Sequence, residues 1–312
     1  MNSLFLTWTF MRRVVFHIIF LVCITGIYLL PNTGHAFEDR INIMVSIPPQ
    51  KYFVEKIGGE YVNVSVLLPP GTSPHFFEPK PGRMIELGKA DMYMAIGVEY
   101  EKHLLPRIKS MHPGLSIIHT DHGIKKISMG SHSHAHSPGN NHEHEHDHHY
   151  GKDPHIWLSP ELVMVQAENI YNALSAALPE SKKHFQDNYI SFTKELEDLD
   201  EMIRDIFSQM NPGTKFMVFH PAWGYFAKAY NLVQVPVEIE GKEPRAADLK
   251  HLIDTARDEN IKVIFVSPQF SKRSAQVIAE SIGGETVSID PLAEDWEHNM
   301  RKIAEKFRHG NE

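Results

Sequence analysis

The chain has 312 residues, a formal net charge of −8 and one cysteine, Cys23. The acidic balance argues against nucleic acid as a partner and suits a protein that stays soluble while collecting cations. A single cysteine excludes an internal disulfide framework, so stability must come from a packed core.

Arg12 and Arg13 are the only charged side chains among the first 36 residues. An apolar run over 14–30 follows, then the turn Pro31-Asn32-Thr33-Gly34, and Gly34 and Ala36 supply small residues at −3 and −1. This is the order of a secretory signal, with cleavage expected after Ala36 and the mature protein in the periplasm. The alternative is a retained anchor, because about 17 apolar residues approach the lower limit for a bilayer span. A lipoprotein reading of Cys23 is disfavoured because Phe20-Leu21-Val22 offers no small residue before it. Cleavage removes Cys23, Arg12 and Arg13, taking the charge from −8 to −10. About 275 residues remain, enough for a sizeable core and suggestive of two lobes.

Strands are predicted over 41–47, 61–68, 92–96 and 115–118, with helices over 50–57 and 84–89 between them. Strands alternating with helices indicate a parallel sheet. Residues 129–149 carry no aliphatic core residue after Met129 and are read as a disordered, histidine-rich loop. A helix is predicted over 160–177, started by Pro160 and stopped by Pro179. Phe185, Tyr189, Phe192, Leu196, Leu199 and Ile203 then recur at helical spacing, predicting a helix over 182–210 roughly 40 Å long. Strands follow over 216–219, 233–237, 263–266 and 286–289, with helices over 223–230, 249–259, 273–282 and 295–308. The expected organisation is a signal peptide over 1–36, an N-terminal βα lobe over 37–180 and a linking helix over 181–211. A C-terminal βα lobe over 212–312 completes it.

Ligands of open parallel sheets sit beyond the carboxyl ends of the strands. His75 lies past the second predicted strand, His220 directly ends the strand over 216–219, and Asp290 ends the strand over 286–289. His155 stands at the entry to a helix after the loop. Singly each is weak: a strand-end histidine is more often a hydrogen-bonding residue, and Asp290-Pro291 also reads as a helix N-cap. Together they agree with one crevice between two lobes, and three imidazoles with a carboxylate suit four-coordinate Zn²⁺.

Five segments share a resemblance: Pro74-His75-Phe76-Phe77-Glu78-Pro79, Asp153-Pro154-His155-Ile156-Trp157-Leu158, Phe219-His220-Pro221-Ala222-Trp223-Gly224-Tyr225-Phe226, Glu240-Gly241-Lys242-Glu243-Pro244 and Ile289-Asp290-Pro291-Leu292. In type and order they resemble the metal-specific periplasmic solute-binding proteins of ABC importers (cluster A-I), in their zinc-type, ZnuA-like branch. The resemblance covers essentially the whole mature chain. It implies an α/β fold of two βα lobes with parallel sheets joined by one long rigid helix, the metal site lying in the cleft between the lobes. It implies His75, His155, His220 and Asp290 as ligands, zinc as cargo, and an importer permease with its ATPase as partners of a monomer. Manganese-type relatives tend to carry a carboxylate where this chain has His220, so the imidazole favours zinc over harder cations. Phe77 replaces a common Tyr, and the disulfide of some zinc-type members cannot form.

Glu78 reads either as an extra ligand or, preferably, as acceptor of a hydrogen bond from a ligand histidine. Trp157 and Trp223 read as shields of the site or as core aromatics. His132, His134, His136, His142, His144, His146, His148 and His149 alternate with acidic residues. They would form weak interchangeable zinc sites, as relatives often have here, or a solvated spacer. Readings that compete with zinc delivery are a manganese or other divalent-metal binder, a periplasmic zinc chaperone, an adhesin and a zinc hydrolase. The hydrolase is disfavoured because Asp290 would close the shell, so no enzymatic activity is expected.

Overall fold

A computed structural model describes residues 40–129, 151–239 and 241–310. The expected signal segment and the eight loop histidines lie outside the described residues. The first strand, Ile41–Val45 (β1), is buried at every position but one, as a central parallel strand covered on both faces must be. It is followed by Pro48–Gly58 (α1), Val62–Val66 (β2), Pro81–Leu87 (α2), Met92–Ala95 (β3), Glu101–Met111 (α3) and Ser116–His119 (β4). All pairings are parallel, in the order β2-β1-β3-β4.

The second sheet repeats this winding. Thr214–Val218 (β5), Leu232–Pro236 (β6), Val263–Val266 (β7) and Glu285–Ser288 (β8) lie in the order β6-β5-β7-β8, again all parallel. Between and after them come Gly224–Ala229 (α6), Ala246–Asp258 (α7), Arg273–Ile282 (α8) and Trp296–His309 (α9). The two faces of this sheet follow the strand period of two. Phe216, Val218 and Phe265 belong to one core with Met300, Ile303 and Phe307 of α9. Met217 and Ile264 alternate with them and belong to a second core with Leu252 of α7 and Ile278 of α8.

The lobes are joined by Pro160–Ala177 (α4) and by Lys182–Phe207 (α5), whose 26 residues span about 39 Å. The buried stripe of α5 is shared between lobes. Phe192 meets Phe53 of α1, with ring centroids 6.1 Å apart, while Phe207 meets Phe226 and Tyr230 at 5.8 and 5.9 Å. Helix α9 adds a second tie, because Trp296 packs edge-on against Phe53 at 5.1 Å. Its indole Nε1 donates to Trp157 O at 2.8 Å, and Trp157 Nε1 donates to Pro291 O at 2.7 Å. Among the described residues no helix is long and apolar enough to cross a membrane.

The two-lobe α/β fold agrees with the sequence reading. Helix α3 is the element that reading lacked, because Pro106 stands inside it and only Leu104 and Ile108 supply its buried apolar face. Its first residue, Glu101, turns back into the lobe. The carboxylate accepts from Ile96 N at 3.0 Å and Gly97 N at 2.7 Å, and from the Ser46 hydroxyl. These bonds pin the turn after β3, where Gly97 adopts φ +87°.

Burial pushes the Glu101 carboxyl from 4.5 up to about 7, although the Ser46 hydroxyl and the Ile96 and Gly97 amides favour its charged form. The folded carboxyl therefore holds its proton more tightly than the unfolded one. Its contribution to stability is complete below pH 4.5 and is lost as pH rises through about 7. Denaturant unfolding of metal-free protein across that window should show stability falling by up to about 3 kcal/mol on this account. Glu101→Gln should flatten the dependence; an unchanged slope would remove Glu101 as its cause.

Candidate metal centre

Each histidine is delivered by a different loop. After β2, Leu67 N and Leu68 N bond Val45 O and Ser46 O, and Pro69-Pro70-Gly71 turns the chain toward His75. After β5, Phe219 N still pairs with Phe265 O at 2.8 Å, so the next residue, His220, leaves the sheet at its carboxyl end. His155 opens the short turn Ile156–Leu158 ahead of α4. One oxygen, Asp153 Oδ1, accepts from both the His155 backbone N at 2.9 Å and its ring Nδ1 at 2.7 Å. Gly224 allows this arrangement, because a Cβ there would stand 2.8 Å from Asp153 Oδ2.

Among the described residues His75, His155 and His220 form a group whose candidate ligand atoms lie within 4.8 Å of one another. His220 Nε2 is 2.9 Å from His75 Nε2 and 3.3 Å from His155 Nε2. The edge of a tetrahedral zinc site with bonds near 2.05 Å is about 3.3 Å. The imidazoles thus already stand close to coordination spacing.

The opposite ring nitrogens face carboxylates. His155 Nδ1 meets Asp153, His220 Nδ1 meets Glu238 Oε1 at 2.8 Å, and His75 Nδ1 lies 3.2 Å from Glu99 Oε2. The His75 contact is the loosest of the three. An ionised carboxylate only accepts, so each partnered Nδ1 carries the proton and Nε2 presents a lone pair. Burial pushes the His220 pKa down to about 4; Glu238 opposes this, and His155 and His75 add to it. His220 is therefore neutral at neutral pH. Burial raises the Glu99 carboxyl, but the His75 and His155 imidazoles outweigh it and hold Glu99 below its ordinary value.

The cavity at the triad is lined by His75, His155, Trp157, His220, Gln269 and Phe270 among others, and its free space of about 10 Å³ admits one ion or water. Phe270 stacks on His220 at 4.6 Å, and Trp157 covers His155 at 5.1 Å. On the far side of His75 a wider groove of about 530 Å³ opens, bordered by Phe76, Lys102, His103 and Arg107.

Three expectations are sharpened. Glu78 does not stand on a histidine: its side chain is 87% exposed and its nearest ion-pair partner is Arg107 at 3.9 Å. The carboxylate beside His75 is Glu99, which the sequence reading missed together with the roles of Asp153 and Glu238. Glu99 follows β3 and Glu238 follows β6, so inspecting every strand end for acids as well as histidines would have found both. Trp157 lines the cavity, whereas Trp223 packs on Phe226 and Phe307. Asp290 lies beside the cavity but outside the close group. Its Oδ1 accepts from Gln269 Nε2 at 2.8 Å and from Leu292 N at 2.9 Å.

Two similarly wound lobes that meet around a preformed imidazole triad define a metal-binding protein of the two-lobed class. Residues 43–310 match the family described as zinc-uptake complex component A, periplasmic, and the chain belongs to that family. It is 31% identical over 276 residues to the high-affinity zinc uptake system protein ZnuA of Bacillus subtilis (strain 168), covering 87% of this chain and 85% of that one. A crystal structure of ZnuA matches at 41% identity with a TM-score of 0.79, covering 88% of this chain and 100% of that chain. A crystal structure of a ZnuA deletion mutant with zinc bound matches at 41% identity and a TM-score of 0.78, covering 88% and 98%. The family is one of periplasmic uptake components rather than enzymes.

Removing a carboxylate that stands behind a metal-bound histidine typically costs about 10–100-fold in affinity. Asp153→Asn and Glu238→Gln should each weaken zinc binding by about tenfold or more on that basis. Glu78→Gln should leave it unchanged. Competition against a chromogenic chelator measures all three, and a Glu78 effect equal to the others would contradict the pairing.

Proposed function

We propose that this protein captures Zn²⁺ outside the cytoplasmic membrane and delivers it to the permease of an ABC importer driven by its ATPase. The observation that carries this reading is the triad: His220 Nε2 stands 2.9 and 3.3 Å from the Nε2 atoms of His75 and His155, the opposite nitrogens face carboxylates, and the cavity has space for one ion. Family membership and the zinc-uptake names of its relatives support the same cargo. His75, His155 and His220 would hold the ion, and Asp290 would supply the fourth ligand once it turns toward them. Three imidazoles favour zinc over Mn²⁺, which prefers oxygen ligands.

The protein would act as a monomer in the periplasm, exported by residues 1–36 and cleaved after Ala36. The lobes would correspond to 37–180 and 212–312, linked by 181–211. The histidines of 132–149 would add weaker zinc sites. Binding rather than catalysis is supported by the site's chemistry. Asp153, Glu238 and Glu99 face the imidazoles and Asp290 is hydrogen-bonded, so none is placed as a free general base.

Calorimetric titration tests this directly. Protein lacking residues 132–149 should keep one tight zinc site, and His155→Ala in that background should weaken it roughly a hundredfold or more, as loss of one of few ligands does. Even competition by Mn²⁺ would overturn the metal assignment. Loss of the tight site with the segment would overturn the ligand assignment.

A further inference from the structure

Asp290 occupies the position of a fourth ligand, yet its Oδ1 is engaged by Gln269 Nε2 and Leu292 N. Gln269 and Leu292 both line the cavity and both hold Asp290, and Gln269 is the one that does so with a side chain. It lines the cavity of the three histidines and holds the carboxylate that stands outside their close group. Its amide orientation is fixed by chemistry, because the reverse would press its oxygen against a carboxylate. That oxygen, Oε1, is buried and has no partner among the described residues. A buried unpaired carbonyl is costly and signals a site completed by something else, such as water or an ion's hydration.

We propose that Gln269 is a latch on Asp290 that sets metal preference. It holds the carboxylate out of the coordination shell, so an arriving ion is captured by three imidazoles first. Asp290 joins only when its hydrogen bond to Gln269 breaks. The unpaired Oε1 is then placed to accept from a water carried in on the ion.

The consequence differs between metals. Zn²⁺ gains most of its affinity from nitrogen ligands, whereas Mn²⁺ depends on oxygen. A competitor for the carboxylate expected as fourth ligand therefore handicaps Mn²⁺ more than Zn²⁺. Gln269 acts as a positioning residue through Asp290, and this inference rests on the triad being the zinc site.

The test titrates the full mature chain, metal-free, with Zn²⁺ alone and with Mn²⁺ alone. Wild type, Gln269→Leu, Asp290→Ala and the double variant are compared by chelator competition. Gln269→Leu should tighten Mn²⁺ binding by about tenfold, the order a hydrogen bond to an ionised carboxylate carries, and Zn²⁺ binding by clearly less. Neither shift should survive in the Asp290→Ala background. Equal shifts for both metals, weakened binding, or a shift that persists without Asp290 would each overturn the latch. Gln269→Met replaces the Leu variant if thermal unfolding shows that one to be misfolded. A wild-type protein with no tight zinc site would instead overturn the zinc reading itself, so the two failures are distinguishable.

Discussion

Three imidazoles cannot rest comfortably with their unprotonated Nε2 atoms turned together, His220 Nε2 lying 2.9 and 3.3 Å from those of His75 and His155. The carboxylates behind them create this situation. Asp153 and Glu238 fix the protons of His155 and His220 on Nδ1, and Glu99 faces Nδ1 of His75. The Nε2 lone pairs are left facing one another across a space that holds no more than one ion or water. A cation bound there would turn that mutual repulsion into bonds, and the carboxylates would raise the basicity of the imidazoles toward it. The folded protein thus holds the geometry in advance, so binding need not order the ligands.

Holding it requires both lobes. His75 follows β2 of the first sheet and His220 follows β5 of the second, so a relative movement of the lobes changes the spacing of the triad. The ties that resist such movement are the packing along α5 and the tryptophan pair, in which Trp157 donates to Pro291 and Trp296 donates to Trp157. Pro291 directly follows Asp290, and Trp157 lies two residues past His155. The bonds that join the lobes therefore run through the residues that shape the site. Bending a packed helix of this length is unfavourable, which favours local loop adjustments over a wide hinge.

Much of this was legible in the sequence because strand ends and helix periods are local signals. The β5 strand and His220 follow each other directly, and the stripe of α5 repeats at helical steps over its whole length. Glu99 and Glu238 were hidden by a different physics. Acidic residues at strand ends are common, and which one faces a given ring depends on the order of strands, here β2-β1-β3-β4 and β6-β5-β7-β8. Glu78, three residues from His75, attracted the role by proximity in sequence, while the fold turns it to solvent beside Arg107. Helix α3 was hidden by Pro106, and with it the Glu101 clamp that shapes the turn carrying Glu99.

The repeated winding explains why the site is divided as it is. In each all-parallel sheet the winding switches side between the two central strands, β1 and β3 or β5 and β7, and ligands gather beyond the carboxyl ends near such a switch. In the first lobe the loops after β2 and β3 provide His75 and Glu99. In the second the loops after β5 and β6 provide His220 and Glu238, so the histidine follows an edge strand and the acid a central one in the first lobe, and the reverse holds in the second. Loop β7–α8 then brings Phe270 over His220 and Gln269 to Asp290. An ion held at this junction would take ligands from the loops of both sheets, and moving His220 by about 1 Å would stretch such a bond well beyond the 2.0–2.1 Å that zinc accepts from nitrogen. A displacement of that size would therefore suffice to loosen an ion at this site without a wide opening of the lobes.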